Sequence, residues 1–196
     1  MNYPNFFDNI KPITLYDPLA HTLGVGDGIF IFHYLDAVKL AGHSCPTVAG
    51  AWLCIQKALQ ELYGDTTPHR GMLSVELSLS EDEGITGVIA SIITLITGAS
   101  AKGGFKGIQG KFSRNNRLHF KQDIKSEMKF TRLDTQKSVE LSYDPSLVEI
   151  KSQQKELMKK IMTEDATAKE LKRFGELWQE RVEKIFLRSE ELIKVL

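Results

Sequence analysis

The run spanning residues 84–101 contains no charged residue and constrains the fold of this chain more than any other segment. An uncharged run of that length either crosses a membrane or lies in the core of a folded domain. Gly, Ser and Thr lower its hydropathy, and the preceding Glu81-Asp82-Glu83 gives no positive-inside signal. We therefore predict a buried core helix here and no association with a membrane.

The segments around this run predict a protein that combines helices with a sheet. Pro46 follows Cys45 at a helix start, and apolar residues then recur every three or four positions until Gly64. In residues 73–79 the apolar period changes to two, which is typical of a half-buried strand. Further short strands are predicted at residues 118–121, 128–133 and 138–143. We expect an α+β fold with a mainly antiparallel sheet packed by two core helices.

The composition changes at about residue 146 to a dense mixture of acidic and basic residues. We therefore divide the chain into a core domain, residues 1–145, and a charged amphipathic helical extension, residues 146–196. An apolar stripe in the extension predicts a helix of about thirty residues from Thr167, which would span roughly 45 Å. Because that length exceeds the diameter of a compact core, part of the helix should extend beyond the core. We expect this part to pair with a second copy, giving a homodimer with Trp178 in its interface.

The charge balance and the two cysteines bear on partners and compartment. Lys plus Arg and Asp plus Glu both number 25, so the formal net charge is zero and no field attracts nucleic acid or an anionic membrane. Cys45 and Cys54 would lie roughly 13 Å apart along one helix, too far for a disulfide. With no export signal at the N-terminus, we expect a cytoplasmic protein with free thiols.

The chemistry of the chain is predicted to centre on His43 and Cys45. A helix N-terminus favours thiolate over thiol, and thiolate is the form that binds metals or attacks electrophiles. One sulfur and one imidazole nitrogen make half of a zinc or nickel site, so both residues are candidate metal ligands. In a metal-free alternative, Cys45 is a catalytic thiolate and His43 is its base or orienting partner. The remaining alternative is a thiol that only caps the helix.

The glycine-rich loop, residues 98–111, is the second place where a ligand is expected. It does not match a P-loop, because Lys111 is followed by Phe112 rather than by Ser or Thr. The loop could form an anion-binding nest with Lys102, Lys106 and Lys111, or serve as a tight connection close to a ligand site. We therefore expect a small-molecule ligand near it.

The other polar candidates are assigned ordinary roles. Arg114 and Arg117 lie in a polar turn, where they could hold a carboxylate or simply be solvated. Cys54 is expected to be a small core residue. Four scattered histidines are interpreted as surface or hydrogen-bonded residues: His21, His33, His69 and His119.

The sequence around the predicted site reads Leu40-Ala-Gly-His-Ser-Cys-Pro-Thr-Val-Ala-Gly, after one short helix and at the start of a longer one. This string resembles Phe-His-Gly-His-x-Cys-Pro-Gly, the signature of the N-terminal α+β core domain in the FmdE family of formylmethanofuran dehydrogenase components. Downstream, the strand with Glu76, the Gly103-Gly-Phe loop and the Gly110-Lys-Phe strand are also similar to that family. The resemblance covers about residues 34–120.

The resemblance implies a metal-associated α+β domain, assembled as a dimer, and it does not imply methanogenesis. The family's metal ligands carry over only to His43 and Cys45. Ala41 stands where the family has its first histidine, Ala99 replaces the cysteine of Gly-Cys-Thr, and the cysteines of the zinc-ribbon appendage are absent.

The leading hypothesis is therefore a cytoplasmic protein that binds a divalent transition metal, zinc first, with nickel and iron as alternatives. Two rival hypotheses remain: the metal-free thiolate enzyme, and a non-catalytic accessory protein that docks onto a larger complex through its C-terminal helix. The sequence does not identify a reaction.

Overall fold

The computed structural model describes residues 3–196 and confirms the predicted α+β fold. The helices are α1 (Pro18–Thr22), α2 (Tyr34–Ala41), α3 (Pro46–Tyr63), α4 (Thr86–Thr97), α5 (Ser152–Met162), α6 (Ala168–Leu187) and α7 (Ser189–Leu192). The strands are β1 (Ile13–Tyr16), β2 (Ile29–Phe32), β3 (Leu73–Leu77), β4 (Leu118–His119), β5 (Met128–Arg132), β6 (Ser138–Tyr143) and β7 (Ile193–Val195).

The main sheet has five strands in the order β4-β3-β5-β6-β7, and only the β3–β4 pair is parallel. In β3 the predicted alternation is confirmed, because Leu73, Val75 and Leu77 are buried while the intervening residues are half-buried. The strand ends at Leu77, earlier than predicted, and Leu79 is 45% exposed. One face of the sheet therefore carries the apolar core, and the other carries polar side chains.

Helices α3 and α4 both contribute to the core, as the apolar pattern predicts, but only α3 packs on the main sheet, and α4 packs on α3 and α2. Helix α3 packs against α4 and β6, and its Trp52 and Ile55 have no exposed surface. Helix α4 buries Ile92, Ile93 and Ile96 but leaves Ser91 exposed, so it borders the core rather than passing through its centre. Among residues 3–196, no helix combines the length and the apolar character needed to span a bilayer.

The C-terminal segment packs on the core instead of overhanging it. The prediction of one helix of about thirty residues is wrong, because α6 ends at Leu187 after 20 residues. The chain then turns through α7, and β7 pairs with β6 as the last strand of the main sheet. The apolar side of α6 packs against α3, and its Leu177, Val182 and Ile185 are buried. The division at residue 145 stays a prediction about domains, although residues 193–195 belong to the same sheet as the core.

The N-terminal region forms a separate two-stranded ribbon. Strands β1 and β2 are antiparallel, with Ile13 opposite Phe32, and α1 lies between them along the chain. Asp17 caps α1, and its Oδ1 accepts hydrogen bonds from the amides of Leu19 (2.9 Å) and Ala20 (3.1 Å).

The Asp17 carboxylate is also the centre of a buried ion cluster. Its Oδ2 lies 3.0 Å from Nη1 of Arg70, and its Oδ1 lies 2.7 Å from Nη2 of Arg114. The side chains of Asp17 and Arg114 are only 4% and 8% exposed. Burial by itself raises the pKa of Asp17, but hydrogen bonds from Ala20 and Arg70 and the two guanidinium charges hold that pKa below its usual range.

We predict that Asp17→Asn lowers the free energy of unfolding by about 3–5 kcal/mol, because it leaves two arginines without a buried counter-charge. Since the Asp17 pKa is lower in the folded chain, the carboxylate stabilises the fold above about pH 4, the ordinary aspartate value. That contribution is lost as the pH falls through the lower folded-state pKa. Urea titrations between pH 3 and pH 7 would measure both effects.

The matched control is Asp134→Asn, which breaks a surface pair between Asp134 and Arg132 (2.6 Å) with the Asp134 side chain 45% exposed. An exposed pair contributes less than about 1 kcal/mol. Equal losses in the two variants would contradict a structural role specific to the buried cluster.

Candidate functional site

His43, Ser44 and Cys45 form the turn that joins α2 to α3. Helix α2 ends at Ala41, and Gly42 caps it in a left-handed conformation (φ 76°) that reverses the chain. Cys45 is the N-cap of α3, and its Sγ accepts a hydrogen bond from the Val48 amide at 3.5 Å. This contact and the positive end of the helix dipole both stabilise negative charge on the sulfur.

The imidazole of His43 is exposed and its orientation is fixed by the end of α2. Its Nδ1 lies 2.9 Å from the carbonyl oxygen of Ala41. Because a carbonyl oxygen only accepts hydrogen bonds, this contact assigns the proton to Nδ1 in the neutral ring. The lone pair of Nε2 is then available to bind a metal or to accept a proton. Metal-binding histidines commonly use a backbone carbonyl in this way.

Helix α6 covers the turn, which sequence reasoning did not find. The indole Nε1 of Trp178 and the amide Nε2 of Gln179 both donate to the Ser44 carbonyl, at 2.8 and 3.3 Å. Cys45 is consequently only 7% exposed. Trp178 thus contacts its own chain and is half-buried, and its place in a dimer interface stays a prediction. The sequence feature that could have indicated this contact is the indole N–H of Trp178, because a buried indole N–H needs a hydrogen-bond acceptor.

Two tyrosines enclose the same turn. The hydroxyl of Tyr34 lies 3.0 Å from Oγ of Ser44, and the hydroxyl of Tyr143 donates to the Pro46 carbonyl at 2.9 Å. Burial raises the pKa of both phenols well above the ordinary value. Both therefore remain neutral hydrogen-bonding groups at physiological pH and do not act as bases beside Cys45.

The position of Tyr143 also explains a glycine in α3. A Cβ on Gly50 would lie 2.2 Å from the Tyr143 ring, so only glycine lets that ring reach the first turn of the helix.

The structure brings together no complete set of metal ligands around the two predicted donors. Within residues 3–196, no group of three or more His, Cys, Asp or Glu side chains is placed to hold a metal ion. Cys45 and Cys54 are both free, as predicted, and Cys54 is a fully buried core residue whose thiol pKa is raised by burial. Any metal bound at His43 and Cys45 would keep other coordination positions for water, substrate or a donor from another chain.

The remaining histidines lie elsewhere and have local roles. His21 contacts the Asp27 carbonyl, and His33 caps α2 with Asp36 in a capping box. The ring of His69 packs against Tyr16. Of the two arginines predicted to hold a carboxylate or to be solvated, Arg114 holds that of Asp17, while Arg117 donates to the Ser113 carbonyl.

The glycine-rich loop borders an open groove of about 760 Å³. Lys102 lines this groove, whereas Lys106 and Lys111 are not among its lining residues, so the predicted three-lysine nest is not formed there. A Cβ on Gly104 would lie 2.9 Å from the Asn115 backbone, which accounts for glycine at that tight approach. His119 from β4 lines the same groove.

No curated protein matches this chain. A known family does match it over residues 40–194, and that family is described as "FmdE, Molybdenum formylmethanofuran dehydrogenase operon". The match begins at the end of α2, contains the His43–Cys45 turn and the groove loop, and continues through α6 into β7. Since it covers most of the chain, the chain belongs to the FmdE family.

Proposed function

We propose that this FmdE-family protein binds a transition metal through Nε2 of His43 and Sγ of Cys45. The observation that carries the proposal is that one turn holds two potential metal donors, each oriented by a backbone hydrogen bond. The Ala41 carbonyl assigns the Nδ1 proton and leaves Nε2 free, while the Val48 amide supports charge on the sulfur. A borderline nitrogen and a soft sulfur favour zinc first, with nickel and iron as alternatives. We place this activity in the cytoplasm, where the two thiols stay reduced.

A metal site with only two protein ligands resembles a catalytic site more than a structural one. Structural zinc sites are closed by four protein ligands, whereas catalytic sites keep an open position for water or substrate. With two donors from this chain, the metal would keep several open positions and would polarise a molecule bound there.

The same geometry also supports the metal-free alternative. If Cys45 is a nucleophile, Nε2 of His43 is the nitrogen able to accept its proton, since Nδ1 is engaged by the Ala41 carbonyl. Metal content and thiol reactivity separate the two functions.

We also propose a homodimer, as the sequence predicts, and we place its interface at the ribbon instead of at Trp178. The ribbon exposes four apolar side chains, and β2 pairs only with β1 among residues 3–196. A second copy could pair with this edge and cover the apolar surface. The four residues, with their exposed fractions, are Leu23 (60%), Val25 (57%), Ile29 (42%) and Ile31 (56%).

We predict that protein purified without a metal-affinity tag carries zinc, nickel or iron at up to one atom per chain, measured by plasma mass spectrometry. Cys45→Ser and His43→Ala should each lose most of it, because either change removes half of the protein donors. The matched controls are Cys54→Ala, in the core, and His69→Ala, on the surface, which should retain it. Full metal content in Cys45→Ser would disprove this site.

We predict that alkylation of Cys45 by iodoacetamide near pH 7 is slow in metal-loaded protein and accelerates several-fold after chelation. Trp178→Ala should accelerate it further, because it removes one of the two donors that hold α6 over Ser44. Cys54 should remain unlabelled, since it is fully buried. Rapid labelling of Cys45 that a chelator does not change would favour the metal-free thiolate function.

We predict that light scattering at micromolar concentration gives twice the 22.1 kDa mass of one chain. Ile31→Lys should shift the protein toward monomer, because it places a charge on the open edge strand. Leu187→Lys, at a residue that is 78% exposed on α6, is the matched control and should leave the mass unchanged. A monomeric wild-type chain would contradict the dimer.

A further inference from the structure

The groove beside the glycine-rich loop adjoins a second cavity that α4 lines, and the two together are called the groove from here on. The first has a volume of about 760 Å³ and the second of about 350 Å³. Their lining residues include a common set, so the two spaces lie side by side. The shared wall consists of Glu81, Ala101, Leu118 and Phe120.

One end of the groove is rich in hydrogen-bond donors. Ala101, Lys102 and Gly103 line it, and their backbone amides donate to no other described residue. The Lys102 side chain adds a positive charge and the Asn116 side chain adds an amide donor, whereas Nε2 of Gln122 already donates to the Phe120 carbonyl at 2.7 Å. Donors of this kind, with one cation, suit an anionic group such as a carboxylate or a phosphate.

The other end offers apolar surface, although two of its residues carry hydroxyl groups. Oγ1 of Thr94 donates to the Ala99 carbonyl at 2.8 Å, and Oγ of Ser91 donates to the Gly87 carbonyl at 2.8 Å. Because both hydroxyls donate their hydrogens within α4 and its cap, the helix presents mainly methyl and methylene groups here. Leu40, 49% exposed at the end of α2, and Leu95 complete this end.

The charge along the groove sets the direction of a ligand. Glu81 lies on the shared wall and is the only acidic residue among those that line either cavity. It disfavours an anion at the junction, so the anionic group belongs at the Lys102 end and a neutral arm passes Glu81 toward Leu40.

The donor end is held in shape before any ligand binds. The Ser100 amide donates to the Arg114 carbonyl at 2.9 Å, and the Arg117 amide donates to the Ser100 carbonyl at 2.9 Å. Arg114 is itself fixed by Asp17. A loop anchored in this way loses little conformational freedom on binding.

We propose that this groove binds an amphipathic anion, with its carboxylate or phosphate at Lys102 and its apolar arm along α4 toward Leu40. The site is distinct from the His43–Cys45 turn, and its occupancy does not depend on a metal there.

Calorimetry on the full chain would test the proposal with four probes, each below its micelle-forming concentration. The probes are decanoate, decyl phosphate, decyltrimethylammonium and inorganic phosphate. Decanoate or decyl phosphate should bind more tightly than either control probe. Decyltrimethylammonium has the same alkyl arm and the opposite charge, and inorganic phosphate has no arm. Whichever alkyl anion binds better identifies the headgroup.

Two variants locate the binding within the groove. Lys102→Gln should weaken the better alkyl anion about fivefold, the effect of one exposed charge pair, while Lys106→Gln on the same loop should not. Ser91→Phe should also weaken it, by filling the apolar end from an exposed position. Circular dichroism would verify that each variant is folded.

The proposal would be overturned if neither alkyl anion binds, or if decyltrimethylammonium binds as well as they do. It would also be overturned if Lys102→Gln and Lys106→Gln bind alike, or if Ser91→Phe has no effect. Cys45→Ser should bind the alkyl anion like the wild type, because the turn lies outside the groove.

Discussion

The buried contact between Asp17 and two arginines determines how the parts of this fold are placed relative to one another. Asp17 belongs to the N-terminal ribbon, Arg70 precedes β3, and Arg114 lies in the loop region before β4. Arg70 also donates to the carbonyls of Leu95 and Ile96, at 3.0 Å each, and so binds the last turn of α4. A single carboxylate therefore connects the ribbon, the end of a core helix and the loop that borders the groove.

The same cluster explains why the surrounding backbone tolerates no larger residues. Gly71 has a φ of 82°, and a Cβ there would lie 1.7 Å from Nη1 of Arg114. That Nη1 is buried and has no hydrogen-bond partner among the described residues. Two cations share one anion at this place, which is costly unless the geometry is fixed. The glycine provides that geometry by letting the guanidinium lie directly against the chain.

The sequence predicted the helices and strands that interactions between neighbouring residues determine. Neighbouring residues alone determine where α3 starts, at Cys45-Pro46, and where it ends, at Gly64. They also determine the period-two pattern of β3. The structure confirms all three predictions. It did not predict contacts such as Asp17 to Arg114 or Trp178 to Ser44, because a hydrophobic period identifies the buried face of an element without identifying what covers it. For the same reason the turn was found as the candidate site, while its cover by α6 was not.

The turn and the groove are linked through α2, although their chemistry differs. Leu40 closes the apolar end of the groove, and the Ala41 carbonyl beside it assigns the proton of the His43 ring. A molecule whose arm presses against Leu40 therefore contacts the residue next to the carbonyl that orients the imidazole. Because α2 packs on both α3 and α4, its last turn cannot shift without disturbing either the start of α3 or the groove wall. That packing holds the turn in place, so the groove and the His43–Cys45 pair share a supporting helix while each site keeps its own shape whether or not the other is occupied.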